Sequence, residues 1–189
     1  MNTKEIILKI LCNIVLILFT DILKKQILNK SDINQKLLRI AYQIAEDNLD
    51  ESEVVFVGIA PKGDIIARAL ESKLREILPQ IKTTVESLTI DKDKPLSTPV
   101  KISCPTSNLE NKSIILIDDV VNSGRTTFYA MQVFTTFPCK KLKTAILVDR
   151  KHKDFPITSD YVGLSLSTTL LDHILVEVTE NGIEGAYLL

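Results

Sequence analysis

A β-branched run that ends in two carboxylates constrains this chain more than any other feature. Residues 114–117 are apolar and are followed at once by Asp118 and Asp119. Such a run predicts a buried strand, and residues 122–127 behind it, with Gly124 among them, predict a turn that opens into a helix. Two adjacent acids at the end of a buried strand are costly to keep unless they serve a purpose. The sequence therefore predicts a ligand site where this strand ends.

The turn behind the acidic pair has the composition of a phosphate-binding loop. Its backbone N–H groups would lie where a helix begins, and the helix dipole favours a phosphate dianion at that place. Gly124 lets the backbone approach a ligand closely, and three hydroxyls add donors, those of Ser123, Thr126 and Thr127. The turn is therefore expected to bind a phosphate group.

Asp118 and Asp119 complement this loop, because ionised carboxylates only accept hydrogen bonds. Such acceptors suit the paired hydroxyls of a sugar and the outer coordination sphere of Mg²⁺. Acids and loop together predict a clamp for a ribose 5-phosphate. The alternative is an ordinary buried strand that leaves the core through an Asp-Asp cap. It is disfavoured because about ten consecutive positions match the ligand-binding pattern by residue type.

Composition limits the other classes of function. A chain of 189 residues with 45% apolar residues can bury a core and is expected to form one domain. Its formal net charge of −1 gives no general attraction to nucleic acid, so an RNA contact would need a local basic patch. The three cysteines lack a CxxC spacing, which predicts neither a zinc site nor a disulfide framework and is typical of a cytoplasmic protein. They are Cys12, Cys104 and Cys139.

Apolar periodicity predicts alternating helices and strands. One helix is predicted from Ser31-Asp32, with Gln35 completing a capping box, to about residue 45, and a second over residues 64–78. Further strands are predicted at residues 54–59, 143–148, 161–166 and 173–178. This alternation implies an α/β fold with a mainly parallel sheet, whose ligands gather at the carboxyl ends of the strands. The polar stretch 88–105 is predicted to be a long loop, either functional or a solvated hairpin.

The amino end carries a separate apolar run over residues 6–19. It is shorter than the roughly 20 residues that a membrane-spanning helix needs, contains Lys9 and Asn13, and is not followed by a small-residue cleavage site. We expect an added helix that packs on the domain or on a partner. A weak membrane association and a wrongly chosen start codon are the alternatives, and no stable insertion into a membrane is expected.

The acidic pair and its loop resemble the signature of the type I phosphoribosyltransferases, which bind 5-phosphoribosyl 1-pyrophosphate (PRPP) through a strand, two acids and a loop of this kind. Three segments of the carboxyl third narrow the resemblance, namely Leu147-Val148-Asp149-Arg150-Lys151-His152, Asp160-Tyr161-Val162-Gly163 and Leu175-Val176-Glu177-Val178. In order and spacing they resemble the bifunctional pyrimidine operon attenuator and uracil phosphoribosyltransferase proteins called PyrR. The resemblance implies the fold of these enzymes over residues 27–189, with a mobile hood at roughly 88–105 and an extension, residues 1–26, outside the family.

The resemblance also implies how PRPP would bind. Asp118 and Asp119 would bind the ribose hydroxyls and lie in the outer sphere of a Mg²⁺ ion held mainly by PRPP. The 5-phosphate would lie on Asn122, Ser123, Gly124, Arg125, Thr126 and Thr127. The pyrophosphate would lie on Ala60, Pro61, Lys62 and Gly63, where the Ala60–Pro61 bond could adopt the cis form at little cost. The candidate catalytic residues are Asp118, Asp119, Lys62 and Arg125.

For the base, the resemblance implies a pocket with Tyr161 as a stacking face and the Val162 backbone as a hydrogen-bonding edge. Its implied members are Asp149, Arg150, Tyr161, Val162 and Gly163. His152 could lie near this pocket, although a lone histidine is more often a surface residue. The resemblance further implies a homo-oligomer.

Several positions depart from the family's pattern. The aromatic residue of the phosphate loop is Asn122 here, the arginine of the pyrophosphate loop is Lys62, and the lysine after the Val-Gly pair is Leu164. The hood's Arg-Asp pair is replaced by Lys92-Asp93-Lys94, and a histidine of the first helix by Tyr42, with only Arg39 kept nearby. RNA binding would then depend on a basic face made by Lys112, Lys140, Lys141, Lys143, Arg150, Lys151 and Lys153.

Three functions remain open at this point. Transfer of ribose 5-phosphate to uracil is favoured over purine salvage, because purine enzymes of the superfamily carry a carboxylate at the position of Asn122, and an amide cannot take up a proton at neutral pH. An RNA-binding, nucleotide-sensing regulator with little catalysis is the second, and purine salvage the third. A P-loop NTPase is disfavoured because no Gx4GK[ST] motif occurs.

Overall fold

The computed structural model describes residues 24–167, 172–179 and 182–189. The six strands of its larger sheet are β2 (Glu53–Ile59), β3 (Lys82–Thr89), β4 (Lys101–Ile102), β5 (Ser113–Val121), β6 (Lys141–Arg150) and β7 (Tyr161–Leu166). Their order in the sheet is β4-β3-β2-β5-β6-β7. Five of them are parallel, and only β4 pairs in the antiparallel sense. The predicted α/β fold with a mainly parallel sheet is confirmed.

A second, smaller sheet brings the two ends of the described chain together. It is antiparallel and has the order β1-β9-β8. Its strands are β1 (Lys25–Asn29), β8 (Ile174–Thr179) and β9 (Gly182–Leu188). The sequence predicted β8 within one residue but neither β1 nor β9. The predictions for residues 6–19 lie outside the described residues.

Three helices cover the faces of the larger sheet. They are α1 (Lys30–Asp47), α2 (Lys62–Ile77) and α3 (Arg125–Ala130), with 3₁₀ turns at Thr106–Asn108 and Met131–Thr135. Alternate residues of one strand face opposite clusters, so that Ile115 and Ile117 pack with α1 and α2, whereas Ile114 and Leu116 pack with Ala130 of α3. Because both faces of the sheet are covered, the sequences of the central strands are nearly continuous apolar runs.

The start of α1 differs from its prediction. Asn29 caps the helix by accepting a hydrogen bond from the backbone N–H of Asp32 at 2.9 Å, and Asp32 Oδ2 accepts one from the backbone N–H of Asn29 at 3.0 Å. The capping box predicted from Ser31-Asp32 and Gln35 is therefore wrong, because Ser31 and Asp32 already lie in the first turn. An Asn at the cap satisfies a free N–H as well as a Ser does, and the sequence offered both.

The predicted loop at residues 88–105 is shorter in the structure. Its beginning belongs to β3 and its end contains β4, which leaves residues 90–100 as the connection, called here the β3–β4 loop. Sequence patterning missed β3 because its side chains alternate weakly and are mostly half-buried.

The cap of α1 gives a test of this assignment. Asn29→Ala removes one capping bond and is expected to lower the free energy of unfolding by about 1 kcal/mol. Ser31→Ala is the matched control and is expected to change it by less than about 0.5 kcal/mol, the usual range for a surface substitution. Urea unfolding followed by circular dichroism measures both, and a larger loss for Ser31→Ala would restore the original capping prediction.

Candidate active site

Asp118 and Asp119 lie in β5, near the carboxyl edge of the parallel sheet. The strand continues to Val121, so the acids belong to the strand and the turn begins at Asn122. Asp118 is 2% exposed and Asp119 is 7% exposed. The backbone N–H of Asp119 donates to Asp118 Oδ1 at 2.9 Å. Burial and the neighbouring charge of Asp119 raise the pKa of Asp118 well above its ordinary value, and Lys92 opposes this shift.

Two lysines from different elements approach the acidic pair. Lys62 Nζ lies 3.5 Å from Asp119 Oδ2, and Lys92 Nζ lies 3.8 Å from Asp118 Oδ1. Lys62 begins α2, whereas Lys92 belongs to the β3–β4 loop. Sequence reasoning selected Lys62 but treated Lys92 only as a departure from the hood's pattern. The lysine's position between two other charged residues, Asp91 and Asp93, gave no signal that it would reach the site.

The segment Ala60, Pro61, Lys62 and Gly63 forms a tight passage from β2 into α2. The Ala60–Pro61 peptide bond is cis, as the sequence allowed. A Cβ on Gly63 would lie 2.5 Å from the backbone oxygen of Ile117, the residue before Asp118. Only glycine allows this approach, which holds Lys62 beside the acidic pair.

Residues 120–127 enclose a cavity of about 60 Å³, the volume of a small polyatomic ion. Gly124 has φ +82°, in the left-handed region, and turns the chain into α3. The backbone N–H groups of Asp154 and Phe155 both donate to the carbonyl of Ser123 at 3.0 Å, which ties the loop to the segment after β6. The predicted loop of Asn122, Ser123, Gly124, Arg125, Thr126 and Thr127 is thus one continuous cradle at the end of β5.

A wider cleft of about 570 Å³ adjoins the cradle and shares Asn122 and Ser123 with it. Positively charged and imidazole side chains dominate its lining, with one acid. They are Arg150, Lys151, His152, Lys153, His173 and Asp154. Both histidines of the chain therefore meet here, although 20 residues separate them. Sequence analysis considered His152 and missed His173, because the fold alone brings β8 to this place.

Asn122 presents an unused acceptor at this junction. Its Oδ1 atom is buried and has no hydrogen-bond partner among the described residues. A buried acceptor without a partner costs stability, which is repaid when a ligand supplies the donor. Asn122 lines both the cradle and the cleft, so a ligand group that reached this atom would supply the missing donor.

Asp149 and Arg150 lie at the carboxyl end of β6, level with Val121 at the end of β5. Both are buried. Asp149 Oδ1 lies 2.8 Å from Lys153 Nζ and accepts a hydrogen bond from Ser159 Oγ at 3.1 Å. The structure therefore brings Arg150 to the cleft, with Asp149 beside it in a fixed orientation.

Tyr161 is not placed as the stacking face that was predicted. Its side chain is buried, its hydroxyl donates to Asp47 Oδ2 at 2.7 Å, and Lys143 Nζ lies 5.3 Å from the ring centroid. Burial and Asp47 raise the pKa of Tyr161 strongly. The ring packs against α1 and has no free face to offer a base.

Val162 and Gly163 also serve a different contact. Arg39 Nη2 of α1 donates to the carbonyl of Val162 at 2.6 Å and to that of Gly163 at 2.8 Å. These carbonyls lie on β7, the outer strand of the sheet, so Arg39 satisfies an open edge. The predicted hydrogen-bonding edge of Val162 is therefore occupied at its carbonyl by this arginine.

The described residues contain neither a metal-binding cluster nor a membrane-spanning helix. No group of three or more His, Cys, Asp or Glu side chains in residues 24–167, 172–179 and 182–189 could hold a metal ion. No helix in that part of the chain is long and apolar enough to cross a membrane.

Comparison with known proteins agrees with this geometry. The model of the phosphoribosyl transferase domain matches residues 24–180. The bifunctional protein PyrR of Enterococcus faecalis is 36% identical over 163 residues, which are 83% of this chain and 91% of that protein. The PyrR protein of Clostridium kluyveri is 33% identical over 168 residues, which are 84% of this chain and 92% of that protein.

Solved structures show the same fold at lower sequence identity. A hypoxanthine-guanine phosphoribosyltransferase of Bacillus anthracis superposes with a TM-score of 0.64 at 20% identity, over 77% of this chain and 84% of that one. The hypoxanthine phosphoribosyltransferase of Trypanosoma cruzi gives a TM-score of 0.65 at 18% identity, over 76% of this chain and 78% of that one.

The raised pKa of Asp118 has a consequence for stability. A carboxyl whose folded pKa lies above its unfolded value of about 3.9 loses stabilising free energy as the pH rises between the two values. Asp118→Asn removes the buried charge, so this variant is expected to unfold at a higher urea concentration than the parent at pH 8, and to show a flatter pH dependence.

Glu53→Gln is the control with the opposite sign. Burial raises the pKa of Glu53, but Lys112 and Lys82 lower it further, so the net shift is downward. Its stabilising contribution is present above its unfolded pKa, and the Gln variant is expected to be less stable than the parent at pH 8. Destabilisation by Asp118→Asn of similar size would contradict the unfavourable burial inferred for Asp118.

Proposed function

Since this chain belongs to the family of phosphoribosyltransferase domains, and within it to the PyrR proteins, we propose that it transfers ribose 5-phosphate from PRPP to uracil. The products are UMP and pyrophosphate. One observation carries the proposal above all: a buried pair of carboxylates lies between a left-handed glycine loop and two lysines at one edge of the sheet. This arrangement offers separate places for the hydroxyls and the two phosphate groups of one ligand.

We infer the orientation of PRPP from the charges of the site. The 5-phosphate would lie in the 60 Å³ cradle, where backbone N–H groups and the hydroxyls of Ser123, Thr126 and Thr127 converge. Asp118 and Asp119 would accept hydrogen bonds from the ribose hydroxyls. The pyrophosphate would reach Lys62 and the backbone of Gly63, because both lie beside Asp119 and Ile117. Arg125, the first residue of α3, adds a positive charge next to the cradle.

The acidic pair also fits a divalent cation. Burial makes the negative charge of Asp118 unfavourable, and Lys92 Nζ offsets it from 3.8 Å away from Oδ1. A further cation near Asp118 would therefore be favourable. Two carboxylates are too few to hold Mg²⁺ alone, and Asp118 and Asp119 would therefore lie in the outer sphere of an ion brought by PRPP. Such an ion, when bound, neutralises the charge of the pyrophosphate.

Transfer breaks the bond between ribose C1 and the pyrophosphate oxygen, and the electron pair leaves with pyrophosphate. Lys62 and Lys92 stabilise the negative charge that develops there, and the acidic pair stabilises the cationic sugar. N1 of uracil then bonds to C1, and its proton passes to the departing pyrophosphate or to water. Asn122 cannot take up that proton at neutral pH, which suits a base that gives it up readily.

The acceptor base would lie in the 570 Å³ cleft, because that cleft opens directly from the phosphate cradle. We propose Asn122 and Arg150 as its polar contacts, with Asp149 orienting the end of β6. Tyr161, Val162 and Gly163 would contribute by positioning β7 through Asp47 and Arg39 rather than by touching the base.

RNA-binding regulation is the second candidate, because the two PyrR relatives compared above are named bifunctional. The predicted basic face supports RNA binding less than its seven cationic side chains suggested. Five of its seven members form ion pairs with acids of this chain, namely Lys112 with Glu53, Lys140 and Lys141 with Glu51, Lys143 with Asp47 and Lys153 with Asp149. Paired lysines release few counterions, so a weak salt dependence of RNA affinity is expected.

The activity can be measured directly. Protein with PRPP and Mg²⁺ is offered uracil, orotate, hypoxanthine, guanine or xanthine, and nucleotide and pyrophosphate are followed. We expect UMP from uracil and a rate lower by roughly 100-fold or more in Asp118→Asn with Asp119→Asn, since both oriented acceptors are lost. Product from hypoxanthine or guanine alone would select purine salvage. No product from any base, together with steeply salt-dependent RNA binding, would select the regulator.

Asn122 allows a test of the acceptor site. Asn122→Leu keeps the size of the side chain and removes its amide, so KM for uracil should rise roughly threefold to tenfold, the value of one hydrogen bond. KM for PRPP should stay unchanged, because the proposed donors to the 5-phosphate are backbone N–H groups and the hydroxyls of Ser123, Thr126 and Thr127. An equal rise in both KM values would show that Asn122 supports the phosphate loop instead. Leu164→Lys, which restores the family's residue on β7, is the control and should change neither KM.

A further inference from the structure

Asp64 is a carboxylate close to the candidate active site that the proposed transfer does not use. It lies in the first turn of α2, two residues after Lys62. Its Oδ1 atom is buried and has no hydrogen-bond partner among the described residues. Burial raises the pKa of Asp64, although a hydrogen bond from Ser87 and the charge of Arg68 oppose the shift. A buried oxygen without a partner costs stability, so we looked to the other oxygen for the role of this side chain.

The other oxygen of Asp64 joins α2 to β3. Asp64 Oδ2 accepts a hydrogen bond from Ser87 Oγ at 2.8 Å. Ser87 is paired with Gly58 of β2, so this bond passes over β2. A Cβ on Gly58 would lie 2.5 Å from the backbone nitrogen of Asp64, so only glycine leaves room for it. The start of α2 is thereby fixed to β3 on one side, and on the other to β5, where Gly63 meets Ile117.

A second bond to β3 lies at the beginning of the Lys62 segment. The backbone N–H of Ala60 donates to the carbonyl of Leu88 at 2.8 Å. Lys62 therefore lies between two attachments, Ala60 to Leu88 and Asp64 to Ser87, and these reach neighbouring residues of one strand. The backbone of Lys62 has little freedom to move relative to β3 while both bonds are present.

Ser87 also anchors the β3–β4 loop, which carries Lys92. The backbone N–H of Ser87 donates to Ser103 Oγ at 2.9 Å, and the backbone N–H of Ser103 donates to the carbonyl of Ser87 at 2.9 Å. Ser103 directly follows β4, so the chain returns from the loop to Ser87. One serine is thus connected to both lysines of the acidic pair, to Lys62 through Asp64 and to Lys92 through β3.

We propose that Asp64 is a positioning residue for the leaving group: its bond to Ser87 sets the spacing of Lys62 and Lys92 at the acidic pair. Asp64 acts through the two lysines and does not itself bind the substrate. This role rests on the proposed function, because pyrophosphate is the group that both lysines would stabilise. Without the bond the two ammonium groups can move apart, and the negative charge that develops between them is less well stabilised.

Ser87→Ala removes the donor of this bond, and Thr83→Val is the matched control. Thr83 Oγ1 donates to Glu71 Oε1 at 2.6 Å, which is the same kind of bond between β3 and α2, at the other end of β3. Both variants are expected to lower the urea midpoint, because each leaves a carboxylate without its hydroxyl partner. Circular dichroism confirms that both are folded.

Only the bond at Ser87 should affect the transfer of ribose 5-phosphate to uracil. We expect Ser87→Ala to lower kcat/KM for PRPP roughly tenfold and to leave KM for uracil unchanged, because the lysines lie at the leaving group. Asp64→Ala should cause the same loss. Thr83→Val should match the parent, and Ser87→Thr, which keeps the hydroxyl, should retain most of the parent's value. Parent kinetics in Ser87→Ala, or an equal loss in Thr83→Val, would overturn the proposal.

A double variant separates positioning from a merely structural effect. With Lys62→Met there is no longer a pair of lysines to space, so the addition of Ser87→Ala should lower kcat/KM for PRPP by less than about twofold. A further tenfold loss in this background would show that Ser87 acts on transfer by another route, which contradicts the role proposed for Asp64.

Binding of inorganic pyrophosphate with Mg²⁺, measured by titration calorimetry, distinguishes this role from the transfer itself. A parent protein that makes no nucleotide from any base would overturn the proposed function, whereas pyrophosphate binding would still report on the lysines. We expect Ser87→Ala to bind pyrophosphate roughly threefold to tenfold more weakly than the parent, and Thr83→Val to bind it equally well. Equal binding by Ser87→Ala and the parent, or no binding by the parent, would overturn the positioning role.

Discussion

The burial of two adjacent carboxylates in a central strand is the constraint on which the site depends. Asp118 is almost fully buried, and its neighbour Asp119 adds a like charge. Such a pair is tolerable only where cations approach it, and Lys62 and Lys92 do so from two different elements. The start of α2 and the β3–β4 loop are therefore both held to β5 by charge. A ligand that brings hydroxyls, phosphates and a cation would relieve the same unfavourable burial.

Close backbone approach makes this arrangement possible. Gly63 passes so near the carbonyl of Ile117 that no larger residue would fit, and Gly124 turns the chain into α3 with a positive φ. These two glycines place a lysine on one side of the acids and a phosphate-sized cradle on the other. The rest of the large sheet supports them by burying both of its faces, which leaves the strands little freedom to shift.

Several side chains that could bind a ligand stabilise the fold instead. Arg39 satisfies the open edge of β7, Asp47 binds both Tyr161 and Lys143, and Glu53 binds Lys82 and Lys112. Residue type alone could not separate these roles, because an arginine or a tyrosine suits a ligand and a sheet edge equally well. The pairing of surface lysines with nearby acids leaves fewer unpaired cations for RNA. The cleft lined by His152, His173 and Arg150 adjoins the phosphate cradle instead.

The sequence by itself determined the parallel α/β fold, because apolar strands alternate with amphipathic helices along the chain. It located the acidic pair, the loop of residues 122–127 and the tight turn of residues 60–63, because each consists of consecutive residues whose types and order carry the signal. It also located Asp149 and Arg150, at the end of a strand with a clear apolar run. Only the tertiary structure decided what distant segments do: it brought Lys92 and His173 to the site, took Tyr161 and Val162 away from it, and paired β1 with β9. The physical reason is that contacts between residues far apart in the chain depend on register and packing, which local periodicity does not record.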